Sequence, residues 1–287
     1  MNKLKIGIIG HGFVGKAIDS GFESGTVEKF IVDPQYSTTI ADMYARFVPD
    51  VIFVAVPTPM GLNGSIDSTI IETVFNQLNG YEHKPLVVVK STVTPAVIQH
   101  LATLYPRLIL NPEFLTERNA VNDFINADML LIGGNNADDN RLLVDMYNKH
   151  SMCKPCPVHT VDLVAASIIK YTINSFLAAK VLFFNQINDV LSASGSTVDW
   201  NSFIGAIQAD SRIGASHMSV PGPDGRRGFG GACFPKDTVA LVHYAEQLGV
   251  PFTVLKEVVK INQSIRNQYE DLDDREREQN VNFGILK

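Results

Sequence analysis

Cysteine is scarce: the 287 residues hold three, an odd number and too few for a disulfide framework, which fits the reducing cytoplasm. No apolar run has both the length and the uncharged character of a membrane span. No basic leader followed by an apolar region precedes the first strand-like segment, so no signal peptide and no membrane anchor are expected. Basic charge is also short. Lys and Arg number 24 against 30 Asp and Glu, and with a net charge of −6 and no basic stripe the chain is not expected to bind nucleic acid. Internal repeats and low-complexity segments are missing. What remains is the composition of a soluble globular protein, in a chain long enough for two domains.

Residues 1–160 read as short, often β-branched apolar runs at 4–9, 30–32, 51–56, 86–89, 108–110 and 129–132. Amphipathic stretches near 14–23, 67–78, 95–104 and 136–148 separate several of them. Buried strands alternating with helices predict a parallel sheet covered on both faces. From 162 to 194 Gly and Pro are absent, and Val164, Ile168, Tyr171, Phe176, Val181, Phe184 and Ile187 cover nearly the whole circumference of one helix. Such a helix is roughly 45 Å long at 1.5 Å per residue, and a helix apolar all round must be buried. A second copy of the chain is the expected cover, hence a homodimer. A Gly/Pro-rich loop at 213–235 leads to helices near 236–248 and 252–268. The charge run at 271–279 reads as a solvated helix end or a frayed tail.

The segment GHGFVG (Gly10, His11, Gly12, Phe13, Val14, Gly15) follows the first strand and opens a helix. Gly10 allows a tight turn, Gly12 lets backbone approach a pyrophosphate, and Gly15 lets helix and strand pack closely, with the diphosphate at the positive helix end. Asp33 ends the second strand, where a carboxylate accepts both ribose hydroxyls of NAD and repels the 2′-phosphate of NADP. The expected fold is therefore α/β. It has an N-terminal Rossmann doubly wound parallel sheet over 1–160 and an all-α domain over 161–287 with a long central dimerisation helix. His11 reads as an exposed loop residue.

GFGGACFPKD at 228–237 places Cys233 after a run of glycines and just before a helix. The positive helix end and Lys236 would both favour a thiolate there. The alternative is a buried, inert thiol in a glycine-rich turn. Cys153 and Cys156, with His159 three residues on, form an incomplete set for structural zinc, and two structural thiols with no metal are expected.

With GFGGACFPKD stand VPTP at 56–59, STV at 91–93, NPEFLTE at 111–117 and KYTINSFLA at 170–178, in that order. Together they resemble the UDP-glucose/GDP-mannose dehydrogenases over nearly the whole chain. The resemblance implies a cytoplasmic NAD-dependent enzyme that oxidises a nucleotide sugar's primary alcohol to a carboxylate in two hydride transfers, UDP-glucose being the first candidate. Cys233 would hold a thiohemiacetal and then a thioester. It also implies roles for the matching residues. Lys170 and Asn174, on one helix face, would stabilise the oxyanion. Glu113 would be the general base, and Thr92 and Asp237 would position water. Phe114, Leu115, Glu117, Arg212, Gly230 and Lys236, with Lys170 and Asn174, would contact the sugar. Val56, Pro57, Thr58, Ser91, Thr92 and Glu117 would join the glycine loop around NAD. Taken singly, Lys170 also reads as a snorkelling surface lysine, Asn174 as a helix–helix hydrogen bond and Glu113 as a turn cap.

Family members usually continue into a second Rossmann-like domain that grips the nucleotide, so a chain stopping at Lys287 is expected to lack it. Arg226 or Arg227 is a candidate for contacting the diphosphate instead. Ser167 stands where the family often has a glutamate. Two other readings stay open. One is a β-hydroxyacid dehydrogenase, which shares the Rossmann domain and the Lys-x-x-x-Asn helix but needs no cysteine. The other is an inactive NAD- or sugar-binding module.

Overall fold

A computed structural model describes residues 3–285. The chain forms two compact units. One comprises residues up to Thr58 together with Asp67–Lys170, and the other Pro59–Ile66 together with everything from Tyr171.

The first unit is a seven-stranded sheet with helices between its strands. In chain order it holds β1 (Leu4–Ile9), α1 (Phe13–Gly21), β2 (Val27–Val32), α2 (Ile40–Arg46), β3 (Val51–Val54), α3 (Thr69–Asn79) and β4 (Leu86–Val89). After these come α4 (Pro95–Leu104), β5 (Leu108–Leu110), α5 (Ala120–Ile125), β6 (Leu130–Gly133), α6 (Ala137–His150) and β7 (Val158–Val161). The strand order is β2-β1-β3-β4-β5-β6-β7. Strands β3 and β4, VIFV and LVVV, are buried at every residue, which is why they are unbroken runs of large apolar side chains. All neighbouring strands are parallel except β5 and β6, which meet antiparallel at Leu110 and Gly133. The wholly parallel sheet expected from the sequence is corrected at that one place. Strand β7, absent from the apolar runs of the sequence, has three of its four side chains exposed and therefore carries no apolar signal.

Aromatic packing closes one side of the sheet. Phe22 sits with its ring centroid 5.4 Å from Phe53 and 5.3 Å from Tyr147, and Phe124 completes the group. Gly21 has no room for a side chain because the Phe124 ring occupies that space. Capping fixes the starts of two helices, the short α2, which the apolar pattern does not announce, and the longer α6. Thr39 and Asp42 form a capping box on α2, and Asn136 accepts from two backbone N–H groups at the start of α6.

Helix α7 (Leu163–Ala193) runs for 31 residues, and the unit boundary falls within it, between Lys170 and Tyr171. The second unit continues with α8 (Trp200–Gln208), α9 (Phe234–Gln247), α10 (Thr253–Arg266) and α11 (Asp274–Glu278). By length and composition α7 is apolar enough to cross a membrane, counter to the expectation from the sequence, although 44% of the relevant window is buried inside the protein. Its buried side includes Ser167, Lys170, Asn174 and Ser175, while Phe176, Phe183 and Val190 are exposed, so within one chain the helix is not covered all round. The charge run near the C-terminus is also corrected. It folds as α11, with a capping box between Asp273 and Glu276 and the Glu276 side chain fully buried.

One charged group lies in the core of the first unit. Lys90 ends β4, donates to Asn111 Oδ1 at 3.0 Å and stands 5.7 Å over the Phe124 ring. Asn111 also accepts from Tyr147 Oη at 2.8 Å and donates to the Leu131 carbonyl. Burial pulls the Lys90 ammonium down to about 8, opposed by the charge of Glu113. Between that value and the ordinary 10.5 the unfolded chain holds a proton that the folded chain has lost, so stability rises with pH across this window. Below pH 8 the penalty is fully present. Urea unfolding of wild type and Lys90→Met should show wild type gaining roughly 3 kcal/mol relative to the variant between pH 7.5 and 10.5, at about 1.4 kcal/mol per unit. A gap that does not change with pH would show that Lys90 is not a buried cation.

Candidate active site

The strand order reverses between β1 and β3, and ligands of open α/β sheets bind outside the carboxyl ends of the strands at such a point. The glycine loop lies there. Gly10 has φ of +89°, and a Cβ on it would meet the Ala55 carbonyl at 2.5 Å. Gly12 is the N-cap of α1, with nothing within 4 Å of where a Cβ would stand, and its backbone is open to close approach. Phe13 and Val14 begin the helix half-buried.

Asp33, half-buried after β2, accepts from His11 N at 2.6 Å and Gln35 N at 3.0 Å. A carboxylate has about four lone-pair positions, so two remain for ribose hydroxyls. His11 is buried rather than exposed: Nδ1 is 2.9 Å from Tyr36 Oη and Nε2 is 3.2 Å from Asp19. These contacts tie the loop to α1 and to the turn after β2, which the sequence reading did not foresee. The loops after β3 and β4 are cross-braced: Ser91 Oγ donates to the Val56 carbonyl and Thr58 Oγ1 to the Thr92 carbonyl. Pro57 is exposed and Thr92 half-buried. Ser167 Oγ donates to the Val93 carbonyl, giving the position where a glutamate was expected a direct hold on this loop.

In the same unit, Glu113 follows β5 and pairs with Lys170 of α7. Lys170 Nζ is 2.5 Å from the Glu113 carbonyl and 3.3 Å from Oε1, while Glu113 Oε2 accepts from Leu115 N at 2.6 Å. Both side chains are buried, so Lys170 is not a snorkelling surface residue. The Glu113 carboxylate does cap its turn as well as hold the lysine. Phe114 lies under Lys170, 5.1 Å from Nζ to ring centroid, Leu115 is half-buried, and Glu117 is exposed at a short 3₁₀ turn.

The second unit carries the cysteine. Cys233 is half-buried at the N-cap of α9, the residue from which the unsatisfied N–H groups of the helix's first turn follow. Asp237, wholly buried on the first turn, receives Lys236 Nζ at 2.6 Å on one oxygen and Asn174 Nδ2 at 2.6 Å on the other. Tyr171 and Ser175 are buried nearby in sequence on α7, with their hydroxyls unpartnered among the described groups. Burial, with the charge of Asp237 added, pushes the Tyr171 phenol well above its ordinary value, so it stays protonated. Neither hydroxyl was singled out from the sequence, and a tyrosine and a serine flanking an expected catalytic asparagine were the available signal.

Arg212 is exposed and paired with Asp210 at 2.6 Å, joining none of these clusters. Arg226 and Arg227 are committed internally. Arg226 donates to the Asp271 carbonyl at 2.5 Å, and Arg227 bonds Asp189 at 2.7 Å and the Asn185 carbonyl at 2.9 Å. The idea that either arginine waits for a diphosphate is not supported by these bonds. Among the described residues none of the three cysteines is in a disulfide. Burial raises the Cys153 and Cys156 thiols, and Cys153 Sγ points to the Phe124 carbonyl, as expected of structural thiols.

Residues 35–151 match the model of the UDP-glucose/GDP-mannose dehydrogenase family NAD binding domain, and residues 164–264 match that family's central domain. UDP-glucose 6-dehydrogenase TuaD of Bacillus subtilis (strain 168) is 32% identical over 253 residues, 84% of this chain and 52% of TuaD. Putative UDP-glucose 6-dehydrogenase YtcA of the same organism is 30% identical, covering 90% of this chain and 67% of YtcA. A UDP-glucose dehydrogenase from the hyperthermophilic archaeon Pyrobaculum islandicum superposes with a TM-score of 0.75 at 27% identity, over 92% of this chain and 68% of that one. The chain spans about half the length of the curated relatives that match it most strongly, TuaD among them. With both domain models matched in order, this chain belongs to the UDP-glucose/GDP-mannose dehydrogenase family and carries its NAD-binding domain.

Proposed function

We propose that this chain oxidises the C6 primary alcohol of a nucleotide sugar, UDP-glucose first among candidates, to the carboxylate. The observation that carries the reading is Cys233 at the N-cap of α9, one turn from the buried Lys236–Asp237–Asn174 cluster. Gly10–Gly15, Asp33 and the loops at Val56–Thr58 and Ser91–Thr92 would hold NAD, which would supply the hydride acceptor for both oxidations. Asp33 favours NAD over NADP by repelling a 2′-phosphate.

The residues divide the remaining work. Glu113 keeps lone pairs beyond its bonds to Leu115 and Lys170, and takes the alcohol proton and later a proton of water. The Cys233 sulfur adds to the aldehyde carbon, the carbonyl π bond breaks, and the thiol proton ends on oxygen as a thiohemiacetal. The second hydride would go to a second NAD and the hydroxyl proton to Glu113, which passes each proton on to solvent before taking the next, giving the thioester. Water then adds to the thioester carbonyl, the C–S bond breaks, and the thiolate leaves the acid. Oxygen carries negative charge at each tetrahedral stage. Lys170, with three N–H groups and two acceptors on Glu113, and Asn174, with one of two N–H groups on Asp237, have donors to give it. Asp237 and Thr92 orient water, and Lys236, Gly230, Phe114, Leu115 and Glu117 line the sugar; for Arg212, exposed and ion-paired with Asp210, a sugar contact is supported by the family resemblance alone.

We place the protein in the cytoplasm as a homodimer that binds neither membrane nor nucleic acid. The dimer reading rests on α7, where Phe176, Phe183 and Val190 are exposed at intervals of seven residues, a single stripe along the helix. Beside it lies an apolar groove of about 440 Å³ lined by Phe183, Ile213, Val258 and Ile261.

Purified protein given NAD and UDP-glucose should form two NADH per sugar acid, and Cys233→Ala should form no acid. One NADH per sugar, with activity kept in the variant, would assign the simpler two-electron chemistry of a β-hydroxyacid dehydrogenase. In analytical ultracentrifugation the wild type should sediment as a dimer and Phe183→Glu as a monomer. A monomeric wild type would remove the stripe's assigned purpose.

A further inference from the structure

The loop that delivers Cys233 has few backbone partners of its own, and side chains hold it. Gly228 N donates to Asn185 Oδ1 at 3.1 Å, and Phe229 both donates to and accepts from the Asn262 amide, at 2.7 and 2.9 Å. Gly231 N donates to Glu276 Oε1 at 3.2 Å. Two of these glycines, Gly228 and Gly231, have φ above +70°, so the peptide course is one that other residues resist.

Glu276 comes from α11, the segment whose sequence reads as a solvated charge run, yet it is fully buried. Its Oε1 also receives Arg266 Nη2 at 2.6 Å, and its Oε2 receives Asp273 N at 2.9 Å. Arg266, equally buried, gives its other terminal nitrogen to Asp224 Oδ2 at 2.7 Å, on the loop upstream of the cysteine. Gly230 lies directly against this pair, since a Cβ there would collide with the Arg266 guanidinium and the Glu276 carboxylate. The segment carrying Glu276 is itself anchored, by Gln279 O accepting from Met60 N and by buried Val281 and Phe283. A carboxylate that binds a cation, its own helix cap and one loop N–H fixes that loop in position.

We propose that Glu276 is a positioning residue for Cys233: through Gly231 and Arg266 it clamps the 230–231 peptide and so keeps the thiol on the N-terminal end of α9. This rests on the reading of Cys233 as the nucleophile. The clamp acts only through the loop, because Glu276 is not placed to touch substrate or cofactor.

The test is iodoacetamide alkylation of the whole protein as a function of pH, resolved by peptide mass spectrometry for each of the three cysteines. In Glu276→Gln the Cys233 curve should move up by about one pH unit, as the thiol leaves the helix end. The Cys153 and Cys156 curves should stay where they are. With NAD and UDP-glucose, kcat should fall about tenfold with KM for NAD unchanged, as expected for a misplaced nucleophile. A Cys233 curve identical to wild type overturns the proposal. Should the variant not fold, hydrogen exchange on the wild type decides: the Gly231 amide should exchange as slowly as the α10 amides, and exchange at the rate of an open loop overturns the clamp. Alkylation reads the thiol without turnover, so an active Cys233→Ala protein would sink the catalytic reading and leave the clamp to be judged on its own curves.

Discussion

Burying an ion is the constraint on which the arrangement of this protein depends. Each charge removed from water loses several kcal/mol of solvation, recovered only when a counter-ion and further hydrogen bonds are in place. Among the described residues three buried ion pairs do this, Glu113–Lys170, Lys236–Asp237 and Arg266–Glu276, every side chain of which is at most 6% exposed. In each pair at least one member carries an additional bond. Glu113 takes Leu115 N, Asp237 takes Asn174, and Glu276 takes Gly231 N and Asp273 N. Removing one partner from any pair would leave an uncompensated buried charge, at about 3–5 kcal/mol. The positions available to these side chains are correspondingly few. A loop joined to such a pair inherits that restriction, and the loops after β5 and before α9 are both joined to one.

The loops after β3 and β4 are restrained by neutral side-chain bonds instead. Ser91, Thr58 and Ser167 hydroxyls each donate to a carbonyl on a neighbouring loop, at 2.7–2.8 Å, so the segments after β3 and β4 brace one another and α7 braces the second. Such bonds contribute only about 1 kcal/mol each, but they leave no buried charge to satisfy. A site that must admit and release a cofactor is better served by this second kind of restraint.

What could be read in the sequence follows the same division. Strands β3 and β4 were legible because full burial demands unbroken apolar runs, and α7 because its span excludes Gly and Pro. The turns at Gly10–Gly15 and Gly228–Gly231 were legible because glycines cluster where backbone must turn or pack closely. Strand β7 was not, since VHTV faces solvent and its hydrogen bonding to β6 leaves no mark on residue type. The antiparallel join of β5 to β6 depends on the path of the intervening chain. Residue type also fails to separate a buried glutamate from a solvated one: DDREREQ reads as surface, and only the Asp273–Glu276 spacing of a capping box hints at order. His11 was misjudged for a related reason, because its partner Tyr36 lies on a turn 25 residues further along the chain.

Helix α7 inverts the usual pattern of a surface helix, with Lys170, Asn174 and Ser175 inside and Phe176, Phe183 and Val190 outside. The buried polar side is explained by its partners, Glu113 for the lysine and Asp237 for the asparagine. The apolar side is not explained by anything within the chain. Burying one large apolar side chain is worth roughly 1.5–3 kcal/mol, so leaving three in water forgoes a sum comparable to a domain's whole stability. A sequence that positions polar atoms on α7 with such economy would not be expected to leave Phe and Val outward for solvent. The stripe's seven-residue interval is that of a helix meeting another helix along its length, which makes an interface the simplest physical account of the exposed side.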